Sequence, residues 1–106
     1  MRKIDFTDID MYPKKYSFNS ASRDLSIKSL MIENISRQQE VLAAKKTQLI
    51  LGDVIEVNFK FGHNTAPHET NENWIDVQVK AQYKVIKIIP HSLTNEIELV
   101  VKLYFN

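Results

Sequence analysis

The sequence predicts an α+β fold: an antiparallel sheet of three to five strands, built on a long C-terminal meander, with one long or two shorter helices packed on one face. Three patterns lead there. From Ile75, the residues Val77, Val79, Ala81, Tyr83 and Val85 alternate with Asp76, Gln78, Lys80, Gln82 and Lys84. After a short break Ile97, Leu99, Val101, Leu103 and Phe105 alternate again, and the stretch from Ser22 to about Gln48 carries apolar residues at helical spacing. Successive strand side chains point to opposite faces, so a period of two in neighbouring runs reads as paired, half-buried strands.

The 106 residues form one domain of ordinary size, with 43% hydrophobic and 25% charged residues, the balance of a globular chain rather than a disordered one. Fourteen basic residues nearly cancel 13 acidic ones, so no global field steers the protein to nucleic acid or to an anionic membrane, and polyanion binding requires a local patch. Cysteine is absent, which excludes disulfides, thiolate metal sites and a thiol nucleophile. Acidic residues stand early in the chain, where a signal peptide needs an apolar core, and no apolar run approaches the roughly 18 residues of a membrane span. A cytoplasmic location without membrane contact is expected. The two glycines, Gly52 and Gly62, lack neighbours at dinucleotide-loop or P-loop spacing. Scarce glycine with plentiful Lys, Ile and Asn is common usage in A/T-rich genomes, including those of phages and mobile elements.

Residues 1–19 read as a short strand around Ile4, Phe6 and Ile9 followed by an extended arm, because Pro13 lacks the donor a sheet ladder needs. Aromatics at Phe6, Tyr12, Tyr16 and Phe18 are too many for a free tail. Next, Ile27, Leu30, Met31, Ile35 and Leu42 fall near one helical face, with Ala43 and Ala44 adding helix propensity. Ser22 fits an N-cap, and Ser36-Arg37-Gln38-Gln39 fits a capping box for a second helix. The period alone leaves a strand over Leu25 to Ile32 open. Gly52 suits a helix stop or the first position of a Gly-Asp turn. Ile55, Val57, Phe59 and Phe61 then alternate with polar residues as a further strand, and the polar stretch 62–73 forms the longest loop. In the long strand from Trp74 the alternation slips at Ile86, Ile88 and Ile89, which calls for a bulge near Val85 or Ile86.

No catalytic constellation appears. His63, His68 and His91, with Glu69 and Glu72, are the only candidates for a metal site. A strand of about 15 residues, spanning roughly 50 Å, separates His63 from His91. Solvated loop histidines are the simpler reading, and no metal or cofactor is expected. Trp74, at the mouth of the 62–73 loop, is a candidate anchor for a partner, as are Tyr12, Lys14, Lys15 and Tyr16 in the arm, where tyrosines and a preset proline favour binding at low entropic cost. The slip in the long strand is expected to expose Ile86 or Ile88 as the apolar part of a contact surface. Lys60, Lys80, Lys84 and Lys102 with Tyr104 form a lysine-bearing sheet face that could meet phosphates, although interspersed acids also suit a plain solvated face.

These readings converge on a small, non-enzymatic protein-interaction or assembly module, self-associating as a homo-oligomer or joining a protein partner. The alternative is a nucleic-acid-binding protein that uses the lysine face.

Overall fold

The computed structural model describes residues 2–33, 49–91, 93 and 96–105. It contains six strands: β1 (Lys3–Asp5), β2 (Met11–Asn19), β3 (Asp24–Ile32), β4 (Val54–Asn64), β5 (Trp74–His91) and β6 (Glu96–Leu103). They form one sheet in the order β1-β4-β5-β6-β3-β2. β1 runs parallel to β4, and every other neighbouring pair is antiparallel. No helix occurs among the described residues, so the expected α+β fold, with helices covering an antiparallel sheet, is overturned in favour of a single mixed sheet. The capping box at Ser36 and the helix expected through Gln48 lie outside the described residues. Among the described residues no helix is long and apolar enough to cross a membrane.

The helical spacing begins in β3, where the strand left open over Leu25 to Ile32 is what forms, and the cause of the helix-like spacing is physical. β2 and β3 pair through two register shifts, in which Lys14 and Lys28 are left without opposite partners. Each extra residue flips the strand's facing. Leu30 and Ile32 therefore share the core face with Ile27, although the parity differs. Ile27, Leu30 and Met31 thus stand at i, i+3 and i+4, the spacing of a helix face, while the backbone is extended. Ser22, the expected cap, sits in the β2–β3 turn, where its N–H and that of Ala21 donate to Asn19 Oδ1 at 3.3 and 3.0 Å.

The expected arm is also a strand. Pro13 is accommodated because β2 is the sheet edge and its ladder is already irregular there. The C-terminal meander stands as the alternation requires. Ile55, Val57 and Phe59 of β4 lie opposite Tyr83, Ala81 and Val79 of β5, and Val85 and Ile88 of β5 lie opposite Val101 and Leu99 of β6. Between Val85 and Lys87 the register shifts, with Ile86 as the extra residue.

One face of the sheet carries the core: Ile4, Ile55, Val57, Val79, Tyr83, Val85, Leu99, Val101, Leu30 and Ile32 pack with Phe6, Ile9 and Met11 from the β1–β2 connection and the start of β2. The sheet curls over this face far enough for β2 to touch β4, although β5, β6 and β3 intervene in the strand order. Tyr16 of β2 packs edge-on against Phe61 of β4, with ring centroids 5.1 Å apart, and Phe18 packs on His63 at 5.0 Å.

The approach to β4 is fixed by a turn over Ile50 to Asp53. Asp53 N–H donates to Ile50 O at 3.2 Å, and Gly52, third in the turn, has φ +90°, where a Cβ is disfavoured. The Asp53 carboxylate accepts from Ile50 N–H at 2.8 Å and from Arg2 through both Nε (3.0 Å) and Nη2 (2.6 Å). This two-pronged contact ties the start of the chain to the head of β4. Hydrogen bonding from Arg2 outweighs burial and holds the Asp53 carboxyl below its ordinary range.

Candidate functional site

The candidate site lies between β3 and β6, neighbours inside the sheet whose pairing is incomplete. The two strands pair only from Ser29 opposite Val100 to Ile32 opposite Ile97. Beyond Ser29, the extra residue Lys28 re-aims β3 away from its neighbour, whereas β6 continues straight along β5 through Val101, Lys102 and Leu103. Leu25 to Ile27 pair on one side with β2, with Lys28 as the bulge residue after them, and Val101 to Leu103 pair on one side with β5; among the described residues, neither segment has a strand partner on its other side. A groove of about 360 Å³ opens there, lined by Leu25, Ile27 and Lys28 on one wall and by Tyr83, Val101, Lys102, Leu103 and Phe105 on the other.

The groove reaches the core at its floor. Ile27, Tyr83 and Val101 are buried, and burial pushes the Tyr83 phenol above its ordinary range. Toward the rim, Leu103 is 41% exposed and Phe105 79%. Among the described residues, the only charged ones lining the groove are Lys28 and Lys102. Chemically it offers apolar surface beside backbone donors and acceptors without ladder partners, the combination that an extended peptide satisfies.

The residues singled out from the sequence are distributed as follows. Tyr12 is half-buried on the face opposite the core, and its hydroxyl donates to Glu96 Oε2 at 3.3 Å. Burial first, and then the charge of Glu96, push its phenol up. Lys14 and Lys15 are exposed on the edge strand. Tyr16 is turned inward, hydrogen-bonded at 2.9 Å to His63 Nδ1, so its aromatic surface closes the fold. Trp74 is 61% exposed, packs over Gly62 and donates from Nε1 to Glu72 Oε2 at 2.8 Å. Ile86, the bulge residue, is 51% exposed. Ile88 packs against the core, so of the two isoleucines the slip exposes the first.

The lysines are brought together more closely than their spacing suggests. Lys3, Val54, Lys84 and Lys102 stand in register across β1, β4, β5 and β6, on the face opposite the core. Lys84 and Lys102 are directly opposite each other, an unfavourable like-charge pair. Tyr104 joins them, with Lys3 Nζ 6.0 Å from its ring centroid. Lys80 lies opposite Asn58 and Lys60 opposite Gln78, further along the same face.

The histidines do not meet. His63 lies opposite Ile75 near one end of β5, His68 is exposed in the following loop, and His91 ends β5. Among the described residues no three potential metal ligands come together. His91 Nε2 instead lies 3.0 Å from Glu98 Oε1. Burial pushes the Glu98 carboxyl up, but His91, the nearby Ser29 hydroxyl and the charge of Lys15 outweigh it and hold the group below its ordinary range. Ser29 Oγ is itself buried without a hydrogen bond of normal geometry among the described residues.

Sequence reasoning missed the groove because it depends on two strands parting, and neither strand alone reveals that. The signal was present in pieces: Leu25 and Ile27 have odd parity, Leu30 and Ile32 even, while β6 keeps one parity from Ile97 to Phe105. Comparison with protein families, with curated proteins and with solved structures finds no match to this chain.

Proposed function

We propose that the chain is a non-enzymatic protein-interaction module that receives an extended segment of a partner along the groove between β3 and β6. The observation that carries this reading is the parting of those two strands after Ser29 and Val100, which leaves two strand edges beside an apolar floor. Strand addition draws affinity from main-chain hydrogen bonds and specificity from pockets for alternate side chains, and both elements are available here.

The other edges of the sheet support the choice of this groove. β1 is only three residues long, and the free edge of β2 carries Pro13, Lys14 and Lys15 beside two register shifts. Short edges, proline, lysine and bulges all discourage pairing with another chain. The edges of the groove are also short and carry the Lys28 bulge and two lysines, but they hold no proline and they flank an apolar floor.

Selection of a displayed library of ten-residue peptides on the intact protein tests the reading. Enriched peptides are expected to alternate apolar and polar residues and to lose at least tenfold in affinity for the Leu103→Asp variant, whose site is exposed enough to tolerate the change. Enriched peptides indifferent to Leu103→Asp, or no enrichment at all, would remove it.

The cross-sheet row of Lys3, Lys84 and Lys102 favours a second reading, nucleic-acid binding on the outer face. Binding of a labelled oligonucleotide should then weaken steeply with salt and with Lys84→Gln. No binding at low salt removes this reading.

A further inference from the structure

The walls of the groove also specify the charge of what enters it, and this inference rests on the strand-accepting reading above. An added strand turns alternate side chains to opposite sides. Those facing the floor meet Ile27, Tyr83 and Val101. Those facing away pass between Lys28 on one wall and Lys102 on the other, and no acidic residue lines the groove among the described residues.

Behind Lys102 stands Lys84, directly across the β5–β6 ladder. Two ammonium groups held opposite each other repel, and an incoming carboxylate between the walls relieves that repulsion while gaining charge-assisted hydrogen bonds. Salt of physiological strength screens exposed charges beyond about 8 Å, so the selection acts on carboxylates seated at the walls and not on distant ones.

We infer that the partner segment is an extended peptide in which apolar residues alternate with Asp or Glu. The apolar side chains fill the floor, and the carboxylates lie against Lys28 and Lys102. A segment with basic residues at the alternate positions would meet both lysines and Lys84 with like charge, so the groove discriminates by repulsion as well as attraction.

The test uses three labelled decapeptides in which valine alternates with glutamate, glutamine or lysine, titrated into the intact protein by fluorescence anisotropy. The expected result is that the glutamate peptide binds at least tenfold tighter than the glutamine peptide at low salt, and that the lysine peptide does not bind. The advantage should shrink at high salt and disappear in the Lys28→Gln, Lys102→Gln double variant, whose circular dichroism should match that of the parent because both side chains are exposed. Equal binding of the glutamate and glutamine peptides overturns the charge selection and leaves the strand-accepting reading standing. Failure of all three peptides removes both. A glutamate advantage that survives in the double variant overturns the assignment to Lys28 and Lys102. Light scattering showing a dimer that Leu103→Asp dissociates would place a second copy of this chain in the groove and overturn the proposal. An oligonucleotide that displaces the glutamate peptide, and binds Leu103→Asp as well as the parent, would make the lysines a phosphate site instead.

Discussion

The Tyr16 hydroxyl lies 2.9 Å from His63 Nδ1, and this hydrogen bond joins the edge strand β2 to β4 across the open side of the curled sheet. Both rings also pack edge-on, at 5.7 Å, and Phe61 supports Tyr16 from the same strand as His63. The closure therefore combines one polar contact with a cluster of aromatic surface. Tyr16→Phe removes only the polar part and is expected to cost about 1 kcal/mol in urea unfolding. Tyr16→Ala removes the ring as well and is expected to cost about 3 kcal/mol or more. Equal effects of the two changes would show that the ring contributes nothing to closure.

The two isoleucines around the β5 bulge should differ sharply. Ile86 is the extra residue and is half-exposed, whereas Ile88 packs on the core opposite Leu99. Ile86→Lys is expected to change stability by no more than about 0.5 kcal/mol, the usual range for surface positions. Ile88→Lys places an ammonium group against the core, and its cost of several kcal/mol should leave the chain largely unfolded. Thermal melts of the two variants check the bulge position, since a shift of one residue would reverse their order.

Gly52 occupies φ +90°, and among the described residues no atom beyond its chain neighbours lies within 4 Å of the place a Cβ would take, so a methyl group there meets backbone strain rather than a packed neighbour. Gly52→Ala is expected to destabilise by about 1–2 kcal/mol, the cost of a left-handed conformation for an L-residue. An unchanged unfolding midpoint would contradict the turn geometry at the head of β4.

The contacts of Asp53 set an acid limb on stability. Its folded carboxyl binds a proton less readily than the unfolded group, whose ordinary pKa is 3.8. The stabilisation is therefore fully present above the unfolded value and is lost as pH falls through the lower folded one. Glu98 is shifted in the same direction and adds to the same limb. Asp53→Asn should weaken the Arg2 contact, cost about 1–2 kcal/mol at neutral pH, and flatten the decline below about pH 4. An acid limb as steep as that of the parent would show that Asp53 is not responsible.

The meander is legible in the sequence because β4, β5 and β6 keep a simple period over their paired lengths, and the slip at Ile86 announces its own bulge. β2 and β3 are obscured by the opposite circumstance. Their compensating extra residues, Lys14 and Lys28, convert a period of two into i, i+3 steps at Ile27 and Leu30, and a helix is the natural reading. Pro13 conceals β2 in the same way, since only the strand order reveals that it stands on an edge where the missing donor is harmless. Of the candidate contact residues, Trp74 and Ile86 are exposed, whereas Tyr16 and Ile88 are committed to the fold. The groove requires knowing which strands are neighbours, and that relationship spans residues 25 to 103, far beyond any local pattern.

The parting of β3 and β6 is most directly tested by residue-resolved hydrogen exchange on the free protein and on its complex with the valine–glutamate peptide. In the free protein the groove-facing amides among Leu25 to Lys28 and Val101 to Leu103 should exchange faster than those of Leu30, Ile32 and Leu99, which lie in the paired part of the β3–β6 ladder. On binding, the groove-facing amides should slow at least tenfold. Full protection in the free protein, or exchange unaltered by bound peptide, would contradict a strand-accepting groove.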